Sequence, residues 1–249
     1  MGIYDEVVEV PRRTMVLFFL IDTSGSMSGA RIGAVNTAVE NVVPELKDLS
    51  ESNADSQIKI AVLEFSTGVQ WMYNDPVEAE NFRWNYLDAG GLTSFGEACN
   101  ELNSKLSRSA FMSDASGSFA PAIILISDGE PTDNYQDALN KLKQNNWFKK
   151  SIKVAIDIDG QANRLVLEEF TGNSEAVLVS HDPNTLMKMI QFVSVRSSEI
   201  GSRSANIESG GTSASNANSE ESSKMRAMVE EIKTATEEES WDDFDDEEW

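Results

Sequence analysis

Met15 to Ile21 are seven apolar residues in succession, and the run stops at Asp22. A short apolar run closed by a polar residue and the Gly25 and Gly29 turn reads as a strand buried on both faces, with a helix expected from about Arg31. Ile32, Val35, Val39, Val42, Val43, Leu46 and Leu49 recur at helical spacing, and Pro44, which lacks an N–H, is expected to kink that helix. Gln57 to Phe65 alternates and then turns apolar, and Val69 to Tyr73 can return as a short antiparallel edge strand after Thr67-Gly68. Farther on, the pattern predicts strands at 120–128, 152–158 and 176–179, alternating with helices at 134–144, 164–170 and 184–195. Such alternation implies an α/β fold: a doubly wound, mainly parallel, Rossmann-like sheet with helices on both faces and one short antiparallel edge strand.

Composition divides the chain of 249 residues further. An N-terminal extension (1–10) precedes one α/β domain (11–198), long enough to bury a sizeable core. A Ser, Asn and Gly-rich stretch (199–222) with almost no large apolar residue reads as a flexible linker. Met225, Met228, Val229 and Ile232 then fall at i, i+3, i+4 and i+7, one apolar stripe of a short helix (223–236) that needs a surface, its own domain or a partner groove. The tail (237–249) sets Trp241, Phe244 and Trp249 among acids, as aromatic anchors beside carboxylates, and suggests self-association through the tail. Residues 220–249 hold 13 acids and 3 bases, a net of −10 within the −22 of the chain. That balance argues against binding nucleic acid or an anionic membrane surface, both of which need clustered Lys and Arg.

Arg12-Arg13 before the first apolar run imitates an export signal, but seven apolar residues are too few and the leading segment is acidic, so a cytoplasmic location is expected. The lone Cys99 cannot form an internal disulfide and fits a reducing compartment or a small core residue.

The candidate chemistry sits where the strands stop. Asp22, Ser24 and Ser26 alternate at the carboxyl end of the first strand, Gly90-Gly91-Leu92-Thr93-Ser94 presents a hydroxyl before a helical stretch, and a second apolar strand ends at Asp128. Ligands of open α/β sheets bind at that edge. Asp22, Ser24, Ser26, Thr93 and Asp128 are all oxygen donors, which suits Mg2+ or Mn2+; Zn2+ would favour Cys or His. Single hydroxyls of this kind can also cap the helices that follow them, and single aspartates can simply be solvated. With two carboxylates a divalent ion is roughly neutralised, and an open position stays attractive to an acidic oxygen.

D-x-S-x-S at 22–26 with Thr93 and Asp128 resembles the metal-ion-dependent adhesion site (MIDAS) of von Willebrand factor type A domains. The wider text, including RRTMVLFFLIDTSGSM, AGGLTSFGEACNELN and FAPAIILISDGEPTD, resembles the bacterial TerY-type branch associated with tellurium resistance, over roughly residues 11–200. The resemblance implies that Ser24, Ser26 and Thr93 touch the ion directly, that Asp22 and Asp128 act partly through water, and that a partner Asp or Glu completes the shell. It implies, too, an adaptor in a stress-response phospho-signalling complex with a Ser/Thr kinase and a PP2C-type phosphatase. Glu130 and Asp133 lie near the same rim, where they can tune recognition, and Thr234 and Thr236 are candidate phosphorylation positions in an acidic context. An integrin-like surface adhesin and a metal-dependent hydrolase are the competing readings. The first wants an export signal. The second wants a general base or nucleophile, and the adjacent Ser180, His181 and Asp182 cannot converge into a triad; the chain is therefore read as a non-enzyme.

Overall fold

In a computed structural model, the structure describes residues 12–54, 56–114, 117–204 and the isolated positions 227, 230 and 234. The N-terminal extension and most of the expected linker, helix and tail lie outside the described residues. Strand β1 (Arg13–Asp22) is followed by helix α1 (Ala30–Ser52), β2 (Ser56–Ser66), β3 (Gly68–Trp71), β4 (Val77–Glu78) and α2 (Phe95–Lys105). After these come β5 (Ala122–Ser127), α3 (Gln136–Gln144), α4 (Asn146–Lys150), β6 (Ile152–Ile158), α5 (Arg164–Thr171), β7 (Val177–Ser180) and α6 (Pro183–Ser204).

The strands form one sheet in the order β3-β2-β1-β5-β6-β7. From β2 to β7 every neighbouring pair is parallel, while β3 and the two-residue β4 both pair antiparallel with β2. The chain winds outward from β1 to β2 and then returns to β5 on the other side, so the winding reverses between β1 and β5. A crevice opens at the carboxyl ends of the two strands at such a reversal.

Alternation along β1 explains the two layers of helices, because successive side chains of a strand point to opposite faces. Met15, Leu17, Phe19 and Ile21 pack with α1 and α6, through Val35, Val39, Leu46, Leu186 and Ile190. Val16, Phe18 and Leu20 pack with α2, α3, α4 and α5, through Phe95, Leu102, Leu139, Phe148 and Phe170. Cys99 lies in this second layer, fully buried, and burial pushes its thiol up. α1 continues through Pro44, and α6 continues to Ser204, past the expected boundary at 198. Among the described residues, no helix is long and apolar enough to cross a membrane.

Between β4 and α2 the chain crosses the α1 layer with little regular structure, anchored by buried Ala79, Phe82 and Leu87. Its pin is Asn36 of α1, itself buried. Asn36 Nδ2 donates to the Leu87 carbonyl (2.9 Å), while Oδ1 accepts from Leu87 N–H (2.8 Å) and Trp84 Nε1–H (3.1 Å). One amide therefore satisfies three groups of a segment that lacks a ladder of its own. Replacing Asn36 by Leu should orphan them and lower unfolding stability by about 2–4 kcal/mol, given roughly 1–3 kcal/mol for each unsatisfied buried group; urea denaturation of the two proteins checks this.

Candidate metal centre

β1 ends with the Asp22 side chain fully buried. The chain then leaves the sheet, with Thr23 N–H donating to the Phe65 carbonyl (2.9 Å). A short turn of 3-10 helix, Gly25–Met27, brings it back, anchored by fully buried Met27. This excursion folds three oxygen side chains onto one another. Ser24 N–H donates to Asp22 Oδ1 (2.9 Å), Ser24 Oγ and Ser26 Oγ lie 3.0 Å apart, and Ser26 Oγ donates to Asp128 Oδ1 (2.7 Å). From the end of β5, Ser127 Oγ donates to Asp22 Oδ2 (2.6 Å).

Thr93 comes from the irregular segment. Gly90 N–H donates to the Thr23 carbonyl (2.8 Å), Gly25 N–H donates to the Gly91 carbonyl (3.1 Å), and Ser94 N–H donates to the Ser66 carbonyl (2.9 Å). Gly91 adopts φ +88°, and a Cβ there would stand 2.5 Å from Thr67 Oγ1, so only glycine lets the loop press so close. Thr93 N–H donates to Thr132 Oγ1 (3.0 Å) and its carbonyl accepts from Thr132 N–H (2.9 Å), a reciprocal clamp from the loop after β5.

The five predicted positions converge beside Gly129. A Cβ built on that glycine would lie 3.5 Å from Ser26 Oγ, 3.8 Å from Thr93 Oγ1 and 3.9 Å from Asp22 Oδ2. Ser24 and Asp128 join the cluster through Ser26. Asp22, Ser24, Thr93 and Asp128 are buried and Ser26 is exposed, so the cluster opens to solvent on one side. The capping alternative falls away. α1 begins after Gly29, and the α2 amides of Gly96 and Glu97 donate instead to Asp133 Oδ1 (3.0 Å) and Oδ2 (3.1 Å). Asp133 is therefore committed to the first turn of α2, while Glu130 is exposed at the rim. Thr234 is exposed and donates to the Glu230 carbonyl (2.9 Å). Met225, Met228, Val229, Ile232, Thr236, Trp241, Phe244 and Trp249 lie outside the described residues.

The electrostatics favour a cation. Burial pushes the Asp22 carboxyl above its ordinary value, hydrogen bonds from Ser127 and Ser24 pull it back, and nearby Asp128 pushes it up again. A second support was invisible in the sequence: Arg31 of α1 donates to Asp128, to the Ser26 carbonyl (3.1 Å) and to Asp159 (2.7 Å). Ser127 and Thr132 were missed as well. Their signal was weak, one hydroxyl before a strand-end aspartate and one in a Pro-Thr-Asp turn. Among the described residues, no three His, Cys, Asp or Glu side chains are grouped to hold a metal, so any cation here depends on hydroxyl oxygens.

A family model described as von Willebrand factor type A domain matches residues 17–192. Among solved structures, a von Willebrand factor type A protein from Catenulispora acidiphila is similar at 18% identity and TM-score 0.55, over 74% of this chain and 43% of that one. The ArnB paralog VWA2 from Sulfolobus acidocaldarius is similar at 17% and 0.54, over 72% and 45%. Proximal thread matrix protein 1 from the mussel byssus, with a zinc-occupied MIDAS motif, is similar at 16% and 0.56, over 75% and 48%. At these identities the likeness is one of fold, and the chain spans less than half the length of each. Among curated proteins, no significant match is found.

The raised Asp22 carboxyl has a consequence with a definite sign. A carboxyl whose folded pKa is raised contributes stability below its ordinary value of 3.8, and that contribution is lost as pH rises through the folded pKa. Asp22→Asn, which keeps the shape and can pair with both Ser24 N–H and Ser127 Oγ, should match wild type below that value. In EDTA at pH 7.5 it should be the more stable protein, as urea unfolding at the two pH values would show.

Proposed function

The chain belongs to the von Willebrand factor type A domain family, and on that premise we propose that it is a divalent-cation-dependent protein-binding module whose bound ion accepts a carboxylate from its partner. The observation that carries this reading is the convergence of Asp22, Ser24, Ser26, Thr93 and Asp128, drawn from three separate segments, onto the space that Gly129 leaves without a side chain. Two carboxylates and three hydroxyls fit a hard cation, Mg2+ or Mn2+ first. Zn2+ is the ion named for the MIDAS of the mussel protein and belongs among the ions to be tried. The bound ion would supply positive charge at the open side of the cluster. The protein's own work is to hold the oxygens together: Ser127 orients Asp22, Thr132 fixes Thr93, and the Gly90–Gly91 loop closes against Thr23 and Gly25.

The finer reading is an adaptor role. Sequence resemblance to the TerY-type branch supports a cytoplasmic, stress-response or tellurium-resistance setting, with a Ser/Thr kinase and a PP2C-type phosphatase as partners. The acidic aromatic tail supports a second contact, to a partner or to another copy of the chain, which phosphorylation at Thr234 or Thr236 would modulate.

At about 100-fold excess over its dissociation constant, the ion should raise the melting temperature by roughly 5–10 °C, since binding then contributes about 2.7 kcal/mol to a domain of this size. Asp22→Ala or Thr93→Ala should leave a folded domain without that shift, because Asp22 only closes β1 at the sheet edge and Thr93 lies in the irregular segment before α2, both outside the two apolar layers. A wild-type protein whose melting is indifferent to millimolar Mg2+, Mn2+ and Zn2+ would remove the reading. Capture of partners from the native cell with and without EDTA tests the adaptor role separately.

A further inference from the structure

Arg31 stands in the first turn of α1, outside the five oxygens. Its Nη1 donates to Asp128 and to the Ser26 carbonyl (3.1 Å), and its Nε donates to Asp159 Oδ2 (2.7 Å). The Asp128 side chain is fully buried, whereas the side chains of Arg31 and Asp159 are 30% and 38% exposed. One guanidinium thus ties the loop after β1, the end of β5 and the end of β6. Asp159 is held there at a cost: it is the non-glycine residue with positive φ among the described residues (61°), and its N–H donates to the Ser180 carbonyl (2.7 Å). The planar fork reaches two carboxylates and a carbonyl at once, whereas a lysine there would keep the positive charge with fewer hydrogen bonds.

We propose that Arg31 is a positioning residue that sets the charge the centre shows to an incoming carboxylate, weakening cation uptake in order to keep the loaded centre receptive. The proposal rests on the cation-binding reading above. Asp22, Asp128 and Asp159 carry three negative charges, and Arg31 reduces the set to two. A divalent ion then brings the cluster to neutrality. Without Arg31 the empty cluster would draw the cation harder, yet the loaded cluster would keep one negative charge and repel a partner's Asp or Glu. The two affinities should therefore move in opposite directions, which a merely structural salt bridge would not cause: loosening the loop weakens both.

The test uses the full chain, with Mn2+ uptake followed by the electron paramagnetic resonance of the free ion. Acetate is the carboxylate probe, read by its effect on water-proton relaxation at bound Mn2+. Arg31→Gln should bind Mn2+ roughly 3- to 30-fold more tightly and acetate roughly 3- to 30-fold more weakly, the range expected for one partly screened unit charge a few ångströms away. Asp159→Asn should shift both the other way, and Arg31→Lys, which keeps the charge, should stay near wild type. Folding of each variant is checked by circular dichroism. Affinities that move together or stay fixed in folded variants, an Arg31→Lys protein that behaves like Arg31→Gln, or wild-type Mn2+ uptake with no response to acetate would each overturn the role of Arg31. Wild-type protein that takes up no Mn2+ would remove the cation-binding reading itself, and this proposal with it.

Discussion

The parallel pairing of β1 with β5 is the constraint on which the rest depends. Leu17 pairs with Ala122 and the register runs to Ile21 and Ile126, so the two strands stop at the same level, with Asp22 level with Ser127 and Asp128 one residue beyond at the carboxyl edge. Both strands are apolar on both faces, and both aspartates are buried as a result. The fold thus sets two like charges together in a poorly solvated place. What surrounds them is a response to that: hydroxyl donors from Ser26 and Ser127, a backbone N–H from Ser24, and a guanidinium from α1.

Much of this was legible before any coordinates. Strands buried on both faces leave unbroken apolar runs, and helices lying on a sheet leave a 3.6-residue rhythm, so β1, β2, β5, β6, α1 and α5 stood out where they were expected. The five oxygens were legible because each sits where an apolar run or glycine loop stops, and their motif resembles that of a known family. Elements held by side chains and not by periodicity were not readable. β4 is two residues long, α4 is a single turn capped by Asn145, and the segment between β4 and α2 follows Asn36, whose partners lie about 50 residues away in sequence. Arg31 and Asp159 are 128 residues apart, and no local pattern announces their meeting. Asp133 looked like a rim acid because sequence places it near Asp128, but the amides of α2 claim its carboxylate.

Glycines do unlike work at this edge. Gly91 allows close packing of backbone against Thr67, and Gly129 leaves room where three oxygens converge. The first is a demand of shape and the second a demand of emptiness. A methyl at Gly129 would meet its neighbours at ordinary contact distances, so the fold would tolerate there what the cluster would not.

Helix α6 starts beside that edge at Pro183 and runs alongside α1, with Asn41 against Met187 and Glu45 against Gln191. The constant offset brings residue 198 level with Ser52, the end of α1, so the turns up to Ser204 project past the far side of the sheet. At 1.5 Å per residue the helix is about 33 Å long. Helix α6 therefore carries the described chain to the pole opposite its candidate centre, so that a partner seated on the centre would meet the start of α6 and not its end.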